Sequence, residues 1–143
     1  MKVIGFNFNK ISVEKLSERP EDLKVNTNIK VSELRTMKSD VFKTKDEIIL
    51  AEFSYIINYE PETAKLEFKG VVMISLDQKK AKAILKEWKK KEMPDDFRNA
   101  LFNLIMMKSN IKALQLEEEV NLPYHIPLPS LKIDDSKPNK KKK

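Results

Sequence analysis

Apolar and polar residues alternate through most of the first half of the chain, the period of strands with one buried face. Ile4, Phe6 and Phe8 share one parity against Gly5, Asn7 and Asn9, and Ile11 and Val13 then take up the other. A strand changes parity only through an irregularity, so a bulge is expected near Asn9-Lys10. After a loop at "SERPED" (17–22), Val25, Thr27, Ile29 and Val31 alternate with Lys24, Asn26, Asn28, Lys30 and Ser32 as a second strand. The polar residues 35–46 read as a long connection.

"IILAEFSYIINYEPETAKLEFKGVVMISLD" (48–77) predicts a β-hairpin turning at "EPET" (60–63), where Pro61 presets φ. With Tyr59 opposite Ala64, Ile57 faces Leu66, Tyr55 faces Phe68, Phe53 faces Gly70, Ala51 faces Val72 and Ile49 faces Ile74. Every one of these pairs is apolar or glycine, so register and hydrophobic pattern agree on the core face. The other face is polar near the turn, where Asn58 meets Lys65 and Ser54 meets Lys69. At its open end, however, Ile48, Leu50, Val71 and Met73 cluster. Such a patch on a face that should be wet is either covered by the chain's own tail or first strand, or is a subunit or client contact.

The period then changes. Asp77 suits the N-cap of a helix over 78–91, with Ala81, Ile84, Leu85 and Trp88 on one side and lysines on the others. Pro94 fits the first turn of a second helix, and Asp95 and Asp96 complement its dipole. Phe97, Leu101, Leu104, Ile105 and Ile111 form its stripe, which Phe102, Met106 and Met107 widen. A helix apolar over so much of its circumference is buried on more than one side, which points to a partner subunit. "NLPYHIPLPSL" (121–131) carries three prolines and reads as an extended segment lying across the domain. Residues 1–131 are thus expected as one domain, and the low-complexity tail 132–143 as disordered.

Charge changes this picture little. The net charge is +6, and the tail's six lysines and two aspartates leave only +2 to residues 1–131. That is a nearly balanced domain with a basic tail rather than a uniformly basic nucleic-acid binder. Lys79, Lys82, Lys86, Lys89 and Lys90 could still grip phosphates, yet only Trp88 is interleaved with them, so a solvated helix face is favoured. The alternative they leave open is a ribosome- or RNA-associated accessory protein.

Chemistry is scarce. The chain has no cysteine, which removes thiol nucleophiles and thiolate metal sites and suits a cytoplasmic location. The N-terminus has no continuous apolar run of a signal peptide, and no stretch is long enough to enter a membrane. His125 is the only histidine, too few for a triad or a multi-histidine metal site, and is expected as a packing residue. Two glycines cannot form phosphate-binding loops. Glu117-Glu118-Glu119 is expected to be solvated charge, since neighbours on a helix diverge. No enzyme, cofactor or metal is expected.

"LEFKGVVMISL" leading into "PDDFRNALFNLIMMKSNIKAL" and then "VNLPYHIPLPSL" resembles the SecB-like export chaperones, in pattern and order, over about residues 2–131. In that family a final strand with a central glycine precedes a Pro-initiated long helix and an Asn-Leu-Pro-like segment. The resemblance implies an α+β fold, a four-stranded antiparallel sheet followed by two helices. It implies a homo-dimer or homo-tetramer that holds unfolded or pre-export polypeptides without ATP or cofactor. Ile48, Leu50, Val71, Met73, Phe102, Met106 and Met107 are then the candidates for client binding or assembly. The bacterial members dock on the SecA motor through an acidic surface whereas this chain is basic, so the resemblance carries client binding over and leaves motor docking open.

Overall fold

The computed structural model describes residues 1–17, 23–37 and 46–129. Four strands, β1 (Lys2–Lys15), β2 (Lys24–Met37), β3 (Glu47–Glu60) and β4 (Ala64–Leu76), are followed by α1 (Gln78–Trp88) and α2 (Asp95–Glu119). The sheet is antiparallel with order β1-β4-β3-β2, an α+β architecture. The hairpin has the expected register, from Tyr59 opposite Ala64 to Ile49 opposite Ile74. It lies at the centre of the sheet, and β1 and β2 form the two edges.

The expected bulge in β1 falls between Phe8 and Lys10, opposite Gly70 and Lys69. Two further register shifts carry no clear sequence signal, between Val3 and Gly5 and between Val31 and Glu33. The latter explains a correction. Residues 35–37 are not connection but strand, because the irregularity at Ser32 swaps parity and turns Leu34 and Thr36 toward Ala51 and Ile49 of the long β3. Most of the loop at 17–22, the rest of the connection, and the tail 132–143 lie outside the described residues.

Both helices cover one face of the sheet. Val31, Leu34, Ile49, Ala51, Phe53, Val72 and Ile74 meet Ala81 and Ile84 of α1 and Phe97, Leu101 and Ile105 of α2 in one cluster. Tyr55, Ile57, Tyr59, Leu66 and Phe68 meet Ala113 and Leu122 in a second. The buried positions of α2 recur every fourth residue: Phe97, Leu101, Ile105, Ser109, Ala113 and Glu117. A four-residue spacing drifts about 40° per step around a 3.6-residue helix, so the buried stripe winds as α2 crosses the sheet. Hence Ile111, expected on the stripe, is 55% exposed, and Leu104 is only partly buried at the margin. The helix also runs on to Glu119, past the expected apolar stripe.

Asp77 caps α1, its side chain accepting from the Lys80 N–H at 2.8 Å. The helix stops at Trp88, three residues short of expectation, because Lys91 adopts a left-handed φ of 61°. The Glu92 N–H then closes on the Glu87 carbonyl at 3.2 Å. That position favours glycine, and a residue with a Cβ loses about 1–2 kcal/mol there. Lys91→Gly gives up only an exposed contact with the Trp88 ring, 4.8 Å from its centroid. It should raise stability by about 0.5–1 kcal/mol in urea denaturation.

Candidate functional site

The register lays out the outer face of the sheet, opposite the helices. Across its open end run Gly5, Met73, Leu50 and Arg35, flanked by Ile48 with Met37 and by Val71 with Glu52. Leu50, Val71 and Met73 are half-buried, whereas Ile48 is only 6% exposed and has little surface to offer a partner. The Met73 methyl lies over Gly5, where a Cβ would collide with it. Around this patch the face is ionic: Arg35 approaches Glu52 at 3.6 Å and Lys10 bonds Glu67 at 2.7 Å. The Lys10 hydrogen bond holds the Glu67 carboxyl below its usual range.

The helix candidates divide. Met106 and Met107 are 38% and 53% exposed, while Phe102 is half-buried against the first cluster. Lys79, Lys82, Lys86, Lys89 and Lys90 are all exposed, but Lys89 and Lys90 sit in the turn beyond α1 and do not extend its helical face.

One concavity was not legible in the sequence. A groove of about 870 Å³ runs where edge strand β2 meets the α1–α2 junction. Ile29 and Val31 of β2, Trp88, Met93 and Phe102 supply its apolar surface. Lys30, Lys91 and Arg98 alternate along it with Glu87, Glu92 and Asp95, and Arg98 pairs with Asp95 at 2.9 Å. Trp88 reads as a core-facing residue and Phe102 as a client or assembly candidate, but nothing local reveals that β2 is an edge and that the two line one groove beside it.

A closed polar cluster fastens the segment after α2, and two expectations change with it. Glu117 is not solvated: it is 0% exposed and accepts from the His125 backbone N–H at 3.2 Å, with His125 Nδ1 at 2.7 Å from its other oxygen. His125 is thus a hydrogen-bonding residue rather than apolar packing. Its Nε2 lies 2.8 Å from Asn110 Oδ1, which also accepts from the Tyr55 hydroxyl at 2.9 Å. The Tyr59 hydroxyl donates to the Pro123 carbonyl and that of Tyr124 to Glu118. Asn121, with φ 59°, makes the turn that brings Leu122 back onto the Glu117 carbonyl at 2.8 Å. Both side chains of the His125–Glu117 pair are fully buried, so the cluster holds the segment after α2 against the body of the domain.

The same environment raises all three tyrosines above their ordinary value near 10. Burial is the main cause at Tyr55 and Tyr59, with the Glu117 charge added, and the Glu118 hydrogen bond is the main cause at Tyr124. Each phenol keeps its proton longer in the folded than in the unfolded chain. Their contribution is therefore complete below about pH 10 and is lost as pH rises above it. Absorbance titration near pH 10 should show little phenolate until the chain unfolds.

Among the described residues, no three or more His, Cys, Asp or Glu are grouped to hold a metal ion, and no helix is long and apolar enough to cross a membrane. No protein-family model matches the chain, and no curated protein does. Among solved structures, the chain is similar to the SecB-like chaperone Rv1957 of Mycobacterium tuberculosis, solved with a ChAD peptide from the Rv1956 HigA1 antitoxin. The match covers 92% of this chain and 91% of that one, at 11% identity and a TM-score of 0.47.

Proposed function

We propose that this protein is an ATP-independent holdase that binds apolar segments of non-native polypeptides, pre-export chains among them. The observation that carries the reading is the groove of about 870 Å³ beside edge strand β2. An edge strand offers unpaired backbone groups to an extended chain, which supplies affinity without regard to sequence. Met93, Trp88 and Phe102 offer adaptable apolar contacts for its side chains, and charges of both signs on the rim discriminate little. Leu50, Val71 and Met73 on the outer face, with Met106 and Met107 on α2, are the further surfaces for client or subunit, as a homo-dimer or homo-tetramer. No cofactor, metal or catalytic group is required.

The test is suppression of aggregation of a chemically denatured substrate, without nucleotide. Activity should survive deletion of residues 134–143 and moderate salt, because apolar burial drives it, whereas phosphate binding falls steeply as counterions compete. Met93→Asp and Phe102→Asp, checked for native circular dichroism, should abolish it. If truncation and moderate salt remove the only detectable binding, and that binding is to RNA, the holdase reading is wrong. Sedimentation at micromolar concentration should separately show a dimer or larger species.

A further inference from the structure

The outer face of the sheet carries a trough of its own, and two bulges shape it. The row Phe8, Gly70, Phe53 and Val31 crosses all four strands, and each edge strand breaks register at its end of that row. The extra residues are Asn9 in β1 and Ser32 in β2, whose hydroxyl donates to the Glu52 carbonyl at 3.3 Å. A bulge bends its strand, so a sheet bulged at both ends of one row is creased along it. The crease is a concavity of about 540 Å³, which meets the groove only at Lys30 and Ser32.

The next row brings cations to this trough. Lys10 is opposite Lys69, Lys69 opposite Ser54, and Ser54 opposite Lys30, so three of the four strands each contribute a lysine. All three are exposed and line the concavity, against a single lining carboxylate, Glu52. Glu52 lies 3.6 Å from Arg35, and among the described residues Lys30 is in no ion pair. Lys10 and Lys69 converge on one anion, the Glu67 carboxylate, at 2.7 and 4.0 Å. That carboxyl is drawn below its usual range, chiefly by the Lys10 hydrogen bond, with the charges of Lys65 and Lys69 adding to it. This end of the trough already holds negative charge.

The ligand it suits has several negative charges in a line and little else. Neighbouring strands stand about 4.8 Å apart, so the row from Lys10 to Lys30 spans about 14 Å. That is too long for one phosphate, while flexible lysine stems can close on a short chain of them. Phe53, the one aromatic residue of the lining, packs its ring against Phe6 and Phe8 in the core. The lining therefore offers no ring to stack on a base. We propose that the trough binds a short linear polyphosphate, with Lys10, Lys69 and Lys30 on its oxygens and Glu67 as the resident anion it displaces. The site lies on the face opposite the helices and does not depend on the holdase reading.

The test is isothermal titration calorimetry of the full chain with inorganic tripolyphosphate at low salt. Lys69→Ala and Lys30→Ala should each weaken binding by about fivefold or more at an unchanged thermal midpoint. Glu67→Gln, which removes the competing charge, should tighten it by about as much. Lys79→Ala with Lys86→Ala, exposed lysines of α1, and deletion of residues 134–143 should each change it by less than about twofold. ATP, which adds a nucleoside to three phosphates, should bind no more tightly than tripolyphosphate. Met93→Asp and Phe102→Asp, which block the groove, should leave tripolyphosphate binding intact, so failure of the holdase reading and failure of this one are told apart. The proposal is overturned if tripolyphosphate does not bind, or if Glu67→Gln leaves its affinity unchanged. It is equally overturned if the α1 pair or the tail deletion costs as much as Lys30→Ala and Lys69→Ala, or if ATP or a uridine oligomer binds more tightly.

Discussion

His125→Ala should destabilise the protein by about 1–3 kcal/mol or more, the cost of leaving a buried polar group without its hydrogen-bond partner. The cost is not that of a lost contact alone. Glu117 is 0% exposed, and without the imidazole at 2.7 Å its carboxyl group loses its shortest recorded contact while keeping the 3.2 Å bond from the His125 backbone N–H. Asn110 loses a partner at the same time, and Tyr55 is drawn in through it. Glu117→Gln, which keeps an acceptor without the charge, should cost less. A double-mutant cycle should then show strong coupling between positions 117 and 125, because each single change strands the other group. Urea denaturation measures all of these. A loss below about 1 kcal/mol for His125→Ala would mean that the pair is open to water.

The second large effect is expected at the centre of β4. A Cβ on Gly70 would stand 2.8 Å from Phe53 Cζ and 2.9 Å from Cε2, and closer still to the Asn7 carbonyl oxygen on β1. The backbone there has no positive φ, so the demand is for space rather than for conformational freedom. The space is taken by an aromatic cluster, with Phe6 and Phe8 at 5.3 and 6.2 Å from the Phe53 ring, centroid to centroid. Gly70→Ala should therefore cost about 3 kcal/mol, at the upper end of overpacking losses. Phe53→Leu should rescue it only in part, since the Asn7 oxygen belongs to the backbone of a paired strand and cannot swing aside. Gly5→Ala is the control. Its only severe conflict is with the terminal methyl of Met73, which can rotate away, so its cost should stay under about 1 kcal/mol. Equal losses at the two glycines in thermal denaturation would refute this account.

Much of the fold was legible because the forces behind it are local. A two-residue period, the turn at Pro61 and the apolar pairing together left one register for the central hairpin, and the structure has it. The parity change after Phe8 demanded a bulge, and Asp77 announced a helix start, for the same reason: each is a requirement of a few consecutive residues.

The rest depends on partners brought from far along the chain. Strand order made β2 an edge and so opened the groove at Trp88, which by pattern alone belongs to a core, and at Phe102, whose pattern marks extra apolar surface but not where it lies. The length of β3 drew residues 35–37 into the sheet, and Ile48, paired there with Met37, is buried on a face whose pattern reads as wet. Glu117 is the sharpest case. Within "LEEEV" it cannot be told from its neighbours, and only the return of the chain after Asn121 sets His125 against it. Periodicity reports which side of an element avoids water. What stands on that side is decided by packing between distant segments, which leaves no local mark on the sequence.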